Sequence, residues 1–341
     1  MKKILTALAI IVIVILGGLL LMRQSQNSTD STQNMRLNYS GPAEKITIAN
    51  IREYSIFNII AQDESYFADN GLHAEVKNYE SGASTIKDLL AGKVDIALAS
   101  DNAGVQTIFT HPEVRIIAQF VRNRVFSVVV RKDHRITQRS DLQGKKIGVT
   151  KKTAGEFLLG QFLTLHNLTQ QDVIIIDLTP SQIKTGLQKG TIDAGVLFEP
   201  NVFDLIKTLG DKAIVWPIDD GYYTFGLIYT TDAFIKQHPA VVQRYLQSLV
   251  EAEQYVAAHP TETKELIGKK FGYNKEYIDY SWTKNNHSIA LDQELLLSME
   301  NIAAWAMSNK LTNKTTVPNY LDFIYFDALE KVKPESITII R

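Results

Sequence analysis

From Lys45 onward the apolar positions follow two alternating patterns: short apolar runs, and residues spaced for one face of a helix. Ile46–Ala49 is a short run and His73–Tyr79 alternates with period two, so each predicts a strand. Between them Phe57, Ile60, Ala61, Glu64 and Phe67 share helical spacing, which predicts one helix over Phe57–Phe67. Asn70-Gly71 closes it, with glycine just past the end. Ser84–Ala91 predicts a short helix stopped at Gly92. Val94–Ala99 is almost continuously apolar, as in strands covered on both faces of a parallel sheet. Ala103–Thr110 predicts a helix ended by His111-Pro112, and Val114–Ala118 and Ser127–Val130 predict strands. This order is that of an α/β domain with a mostly parallel sheet.

The order then restarts. Lys146–Val149, Val173–Asp177, Ala194–Leu197 and Ala213–Trp216 predict strands, and Gly155–His166, Pro180–Gln188 and Asn201–Thr208 predict the helices between them. That is a second α/β lobe. Gly226–Thr230 adds one more strand. Beyond it the spacing predicts helices only: Ala240–Ala258, Thr261–Phe271, Lys275–Trp282, Asp292–Asn309 and Asn319–Ala328. Pro239 precedes the first of these and Pro260 follows it, as start and stop signals.

The N-terminus follows a third pattern. Ile4–Met22 carries no charge and one hydroxyl, Thr6. Its 19 residues would span roughly 28 Å as a helix, close to the roughly 30 Å of a bilayer's hydrocarbon core. The run is long for a secretory signal and ends without a small-residue cleavage pattern. Residues 1–23 are therefore expected to be an uncleaved signal anchor, an N-terminal transmembrane helix, rather than a cleaved signal peptide. Lys2 and Lys3 would keep the N-terminus cytoplasmic. Residues 24–44 are mostly polar and read as a flexible tether. The rest of the chain would then lie on the far side of that membrane.

Composition narrows the chemistry. The chain has 341 residues, enough for two domains. Lys+Arg 36 against Asp+Glu 37 gives a net charge of −1, which lends no support to a nucleic-acid binder. There is no cysteine, which excludes disulfides, thiolate metal sites, a cysteine nucleophile and acylation as a lipoprotein. The seven histidines are scattered, with no H-E-x-x-H and no Ser–His–acid spacing. No metal, no cofactor and no catalytic residue is expected.

Several motifs now line up. Ala61–Val76 resembles the A-x-x-x-G-Y-F-x-x-x-G-L-x-V opening of substrate-binding proteins. Gly92–Ala97 matches their G-x-x-D-I-A, Asp141–Val149 their D-L-x-G-K-x-I-G-V, and Gly190–Pro200 their G-x-(I/V)-D-A-x-x-x-x-E-P. Thr231–Ile235 followed by His238-Pro239 matches the strand-to-helix return. Each motif is weak alone, but the five occur in the right order and spacing over about Lys45–Phe271. The chain resembles the sulfonate/nitrate/taurine and thiamine-precursor branch of the ABC-transporter substrate-binding proteins. The resemblance implies a type II periplasmic-binding-protein fold, two α/β lobes around a ligand cleft. Lobe 1 would take residues 45–132 plus 225–341, and lobe 2 residues 133–224.

In open α/β sheets ligands sit beyond the carboxyl ends of the strands. Arg52, Glu53 and Tyr54 follow the first strand, Ser81, Gly82 and Ser84 the second, and Ser100 and Asp101 the third. Thr153, Ala154, Gly155 and Glu156 open the helix after Lys146–Val149; small residues there expose backbone N–H groups to an anion. For Ser81, Asp101 and Thr153 simple helix capping competes with ligand contact. Glu199 precedes Pro200, so its backbone is extended and its side chain can point into the cleft. Tyr222, Tyr223 and Phe225 lie at the second crossover, where stacking on a flat ligand competes with hinge packing. If Glu53, Asp101, Glu156 and Glu199 face the cleft, a ligand with an amino group is favoured over nitrate alone.

The resemblance implies a non-enzymatic, monomeric receptor. It would deliver a small organic molecule (sulfonate or taurine, aminopyrimidine, or nitrate-like) to the permease of an ABC importer by closing its lobes. A ligand-sensing receptor domain is one alternative. An enzyme on the same fold is another. The pyrimidine-synthesis version relies on a cysteine-rich motif, which is absent here. Menaquinone-synthesis enzymes of this fold are cytoplasmic, which the apolar run argues against.

Overall fold

The computed structural model describes residues 39–51, 56–79, 81–151, 153–218 and 222–341. The expected anchor at 1–23, most of the tether, and Arg52, Glu53 and Tyr54 lie outside the described residues. No described helix is long and apolar enough to cross a membrane. Ala43–Arg341 is one unit; of the preceding Met1–Pro42 only 39–42 are described, without helix or strand.

The chain opens with β1 (Glu44–Asn50), α1 (Ile56–Asp63), α2 (Tyr66–Asp69), β2 (Leu72–Asn78), α3 (Gly82–Leu90), β3 (Ile96–Ser100), α4 (Asp101–Ile108) and β4 (Val114–Asn123). It crosses to β5 (Phe126–Arg131), β6 (Lys146–Val149), α5 (Ala154–Leu165), β7 (Ile174–Asp177), α6 (Pro180–Lys189), β8 (Ala194–Phe198), α7 (Asn201–Leu209) and β9 (Ala213–Pro217). It returns through β10 (Thr224–Thr231), α8 (Asp232–Gln237), α9 (Pro239–Ala258), α10 (Pro260–Phe271), α11 (Lys275–Trp282), β11 (Asn285–Ala290), α12 (Gln293–Ser308) and α13 (Asp327–Val332).

Two sheets result. The six-stranded sheet of lobe 1 runs β11-β4-β10-β3-β1-β2, and the five-stranded sheet of lobe 2 runs β7-β6-β8-β5-β9. β1 pairs in parallel with β2 and β3, and β6 in parallel with β7 and β8. β4, β10 and β11 join antiparallel in lobe 1, as β5 and β9 do in lobe 2. The parallel strands therefore point their carboxyl ends at one edge of each sheet.

Local chemistry explains most boundaries. α6 starts where the Thr179 hydroxyl accepts from the Gln182 amide, with Pro180 in the first turn. It stops at Gly190, whose φ of 71° only glycine adopts at little cost. β3 is buried along Ile96–Ala99, as its unbroken apolar run requires.

Four expectations change. The helix over Phe57–Phe67 divides into α1 and α2, because Ser65 takes a left-handed φ of 65° between them. Residues 126–131, placed by sequence in lobe 1, pair as β5 with β8 and β9, so the chain crosses between lobes just after Asn123. β11 lies where only helix was predicted. Asn-Asn-His-Ser is polar, and as an edge strand it has one neighbour and a solvent side. Asn319–Ala328 is not a helix; it holds a short 3₁₀ turn, Tyr320–Phe323, and the first residues of α13.

The buried apolar residues form one large cluster through lobe 1 that continues onto the α5 face of lobe 2, including Phe157, Phe162 and Trp216. A smaller cluster, including Val129, Ile183, Leu197 and Leu205, fills the space under α6 and α7.

Candidate functional site in the cleft between the lobes

At the edge where β1 and β2 end, asparagines tie the strand ends to the helices. Asn58 Nδ2 donates to Asn50 Oδ1 at 3.1 Å, Asn50 Nδ2 to Asn78 Oδ1 at 3.1 Å, and Tyr245 OH to Asn58 Oδ1 at 3.0 Å. Buried amides this well paired hold an edge rigidly.

The small residues after β2 mostly serve α3. The Ser84 amide donates to Ser81 Oγ at 3.3 Å, and the two hydroxyls lie 2.9 Å apart. A Cβ on Gly82 would stand 2.9 Å from the Cβ of Ala99, so glycine lets α3 close on β3. Ser81 and Ser84 are exposed.

After β3, Ser100 caps α4 by accepting from the Ala103 amide at 3.3 Å. Asp101 is 2% exposed and turns toward α12, where Ser298 Oγ donates to it at 2.8 Å; the Asn102 amide donates at the same distance. Burial pushes its carboxyl up to about 6, against those hydrogen bonds. Asp101 is thus a tie between α4 and α12.

In lobe 2, Thr153 stands at the N-cap of α5 but spends its hydroxyl on the Thr150 carbonyl at 2.6 Å. Among the described residues no side chain caps this helix, and the first-turn amides of Ala154 and Gly155 have no partner within it. Ala154, Gly155 and Glu156 are buried, and a Cβ on Gly155 would come within 3.3 Å of Val196.

Glu199, 2% exposed, sits where β8 leads into α7. One carboxylate oxygen accepts from the Phe203 amide at 3.1 Å. The other accepts from lobe 1: Tyr280 OH at 2.9 Å and Lys284 Nζ at 3.3 Å. The glutamate does face the other lobe, and lobe 1 meets it with a cation.

The lobes are held on two sides. Beside Glu199, Phe203 packs on Tyr277 and Tyr280 with ring centroids 5.2 and 5.5 Å apart, and Lys207 pairs with Glu276 at 2.8 Å. At α5, Phe157 meets Trp305 edge to face at 5.5 Å, and Tyr222 at 6.3 Å. Tyr223 lies under two guanidinium groups, Arg122 at 4.9 Å and Arg124 at 4.3 Å, which is hinge packing. Phe225 is buried in β10.

Between these contacts lies a cavity of about 40 Å³. Ile56 of lobe 1, Val125 at the crossover and Glu199 of lobe 2 all line it, so the strand-end edges of the two sheets meet there. Trp282, Asn285 and His287 complete the wall from the α11–β11 side. Burial holds His287 down at about 4, so its ring is neutral near pH 7.

Sequence reasoning missed Tyr280, Lys284, Asn285, His287 and Trp305. The four-residue spacing of Tyr280 and Lys284 was visible, but nothing local linked it to Glu199. Of the expected residues, the structure brings the start of α5 and Glu199 to one edge of lobe 2. It brings Ser81, Gly82, Ser84, Ser100 and Asp101 to the facing end of lobe 1. Among the described residues no three His, Asp or Glu side chains gather as a metal-ion site.

Comparison with known proteins agrees with this architecture. The chain is similar to the taurine-binding periplasmic protein of Escherichia coli K12, 26% identical over 229 residues, covering 65% of this chain and 69% of that one. It is similar to a putative aliphatic sulfonates-binding protein of Bacillus subtilis, 24% identical over 228 residues, covering 65% and 68%. Its fold matches the crystal structure of the periplasmic aliphatic sulphonate binding protein SsuA from Escherichia coli with a TM-score of 0.72 and 17% identity, over 83% of this chain and 92% of that one. The family model described as NMT1/THI5 like matches residues 52–263, more than half of the chain. With its two sheets facing across a cleft, the protein is a member of the NMT1/THI5-like family and has an α/β periplasmic-binding-protein fold.

Proposed function

We propose that this chain is an extracytoplasmic solute receptor that closes its lobes on a small organic molecule and delivers it, as a monomer, to the permease of an ABC importer. The ligand class is a sulfonate such as taurine, an aminopyrimidine, or a nitrate-like anion. The observation that carries this reading is the meeting of the two strand-end edges at one cavity, with Ile56 of lobe 1 and Glu199 of lobe 2 in its wall. Ligands of open α/β sheets bind at such edges. An anionic end would be received at the start of α5, where the amides of Ala154 and Gly155 lack a side-chain cap and the helix dipole favours negative charge. Thr153 and Glu156 flank that position, and Ser81, Gly82, Ser84, Ser100 and Asp101 support the opposite edge. Arg52, Glu53 and Tyr54 would come from the first loop, and Tyr223 would act at the hinge. The apolar run Ile4–Met22 would hold the receptor at the membrane.

Native mass spectrometry of the purified full chain tests the function. A co-purified small molecule of one of these classes, released unchanged on denaturation, supports it. Chemical conversion of that molecule, or failure to bind any member of the three classes by calorimetry, overturns it. Recovery of the chain in the membrane fraction, and its release on deletion of residues 4–22, tests the anchor.

A further inference from the structure

Two buried polar atoms at the cavity beside Glu199 have no partner among the described residues: Asn285 Oδ1 and His287 Nδ1. The Asn285 orientation follows from chemistry. Its Nδ2 donates to the Ser281 carbonyl at 2.8 Å, and a carbonyl accepts only, so the amide oxygen must be the atom left over. The His287 ring is fixed by aromatic neighbours, Phe57 at 6.0 Å edge to face and Trp282 at 5.7 Å. Buried polar atoms without a partner are rare, because desolvating them is uncompensated; Asn285 Oδ1 can only accept, and the neutral His287 ring presents an acceptor at Nδ1 in its Nε2–H tautomer.

Among the described residues, several of the nearby donors are already committed. Ser281 donates its hydroxyl to the Ile278 carbonyl at 3.2 Å. Tyr280, Lys284 and the Phe203 amide donate to Glu199. A sulfonate or carboxylate oxygen placed here would face a carboxylate and an amide oxygen. An N–H or O–H would meet an acceptor at Asn285, and the paired charges of Glu199 and Lys284 leave the surroundings close to neutral. About 40 Å³ holds roughly two or three waters, or an amino or hydroxymethyl group, but not a whole solute.

We propose that this cavity is a subsite for the hydrogen-bond-donating end of the solute, an amine, amide or hydroxyl group, and that Asn285 and His287 set the preference for it. The proposal rests on the solute-receptor reading and deepens it: the anionic end of the molecule lies elsewhere in the cleft, and its neutral or cationic donor end points to β11.

The test uses the full chain and two pairs of probes that differ by one donor group: taurine against ethanesulfonate, and 4-aminopyrimidine against pyrimidine. Calorimetry should show the amino member of at least one pair binding about tenfold more tightly, the worth of one hydrogen bond to an otherwise unpaired buried acceptor. Asn285→Leu should bring that ratio to about one, and His287→Phe should lower it. Circular dichroism establishes that each variant is folded, and either variant alone suffices if the other is not. Equal binding within both pairs overturns the subsite while leaving the receptor reading intact; the cavity then holds water only. Binding of none of the four probes overturns the donor subsite, and it overturns the receptor reading as well only if nitrate also fails to bind. A ratio that survives in the folded variants overturns the assignment to Asn285 and His287.

Discussion

Lys284 of lobe 1 donates to the Glu199 carboxylate of lobe 2 at 3.3 Å, just past the end of α11. The glutamate side chain is 3% exposed and the lysine 24%. Burial acts to lower the lysine's pKa, but the Tyr280 hydroxyl and the Glu199 charge outweigh it, and the value is raised. The ammonium therefore stays charged. The carboxylate expected to read a ligand's cation already carries one from its own chain. A cationic ligand group would have to share Glu199 with Lys284 or displace it.

Breaking this pair from one side leaves a charge in a poorly solvated place. Glu199→Gln should destabilise the protein by about 1–3 kcal/mol, below the cost of a fully buried pair because Lys284 keeps some solvent. Urea denaturation of Glu199→Gln, Lys284→Met and the double variant checks it. The double variant should be more stable than the sum of the single losses implies; strict additivity would show that the two side chains do not interact. Unchanged solute affinity in Glu199→Gln would remove the support for an amino group read by this acid.

The second clasp turns on a missing side chain. A Cβ on Gly160 would stand 2.8 Å from Trp305 Nε1 and 3.3 Å from two further indole atoms. Alanine there would otherwise favour the helix by about 1 kcal/mol. Gly160→Ala should therefore stabilise α5 locally yet push α12 away, so that the lobes open. Small-angle scattering should show a larger radius of gyration, and the solute affinity should fall about tenfold as the closed state loses population. Adding Trp305→Leu should restore both; an unaltered radius in Gly160→Ala would mean that the indole simply moves aside.

Asp101 carries a pH signature. Its carboxyl titrates near 6 when folded, raised by burial, and near the usual 4 when unfolded. Between those values the folded state holds the extra proton, so this group makes the protein less stable as pH rises from about 4 to 6. Above that range the charged form costs about 3 kcal/mol. Asp101→Asn can still accept from the Asn102 amide through its one oxygen, while its new NH2 donates to the Ser298 hydroxyl, which turns to accept. It should gain about 1–3 kcal/mol at pH 7.5 and little at pH 4, measured by denaturation at both values.

His287 has the opposite sign. The folded ring titrates near 4, the unfolded one near 6.5, so acidification favours the unfolded state across that range. Its contribution should fall by about 2 kcal/mol between pH 7 and pH 5. The two groups oppose each other in the wild type. His287→Phe should gain stability on acidification through Asp101, and Asp101→Asn should lose it through His287. Identical pH profiles for the two variants would show that neither group titrates as its surroundings indicate.

The periodicity of apolar residues, the caps and the glycine stops determined most of the strands and helices, because these depend on neighbours a few residues away. Val94–Ala99 read as a buried strand from its own run, and Pro180 and Gly190 bounded a helix by their φ preferences alone. The ordered motifs likewise pointed to Glu199 and the start of α5. Polar β11 escaped, because its pairing with β4 comes from a strand far back in the chain. The partners of the site escaped for the same reason. Lys284 is 85 residues from Glu199, and Ser298 is 197 from Asp101. Hydrogen bonds and burial act through space, so whether an acid faces a ligand, a lysine or a serine was decided only when the lobes came together.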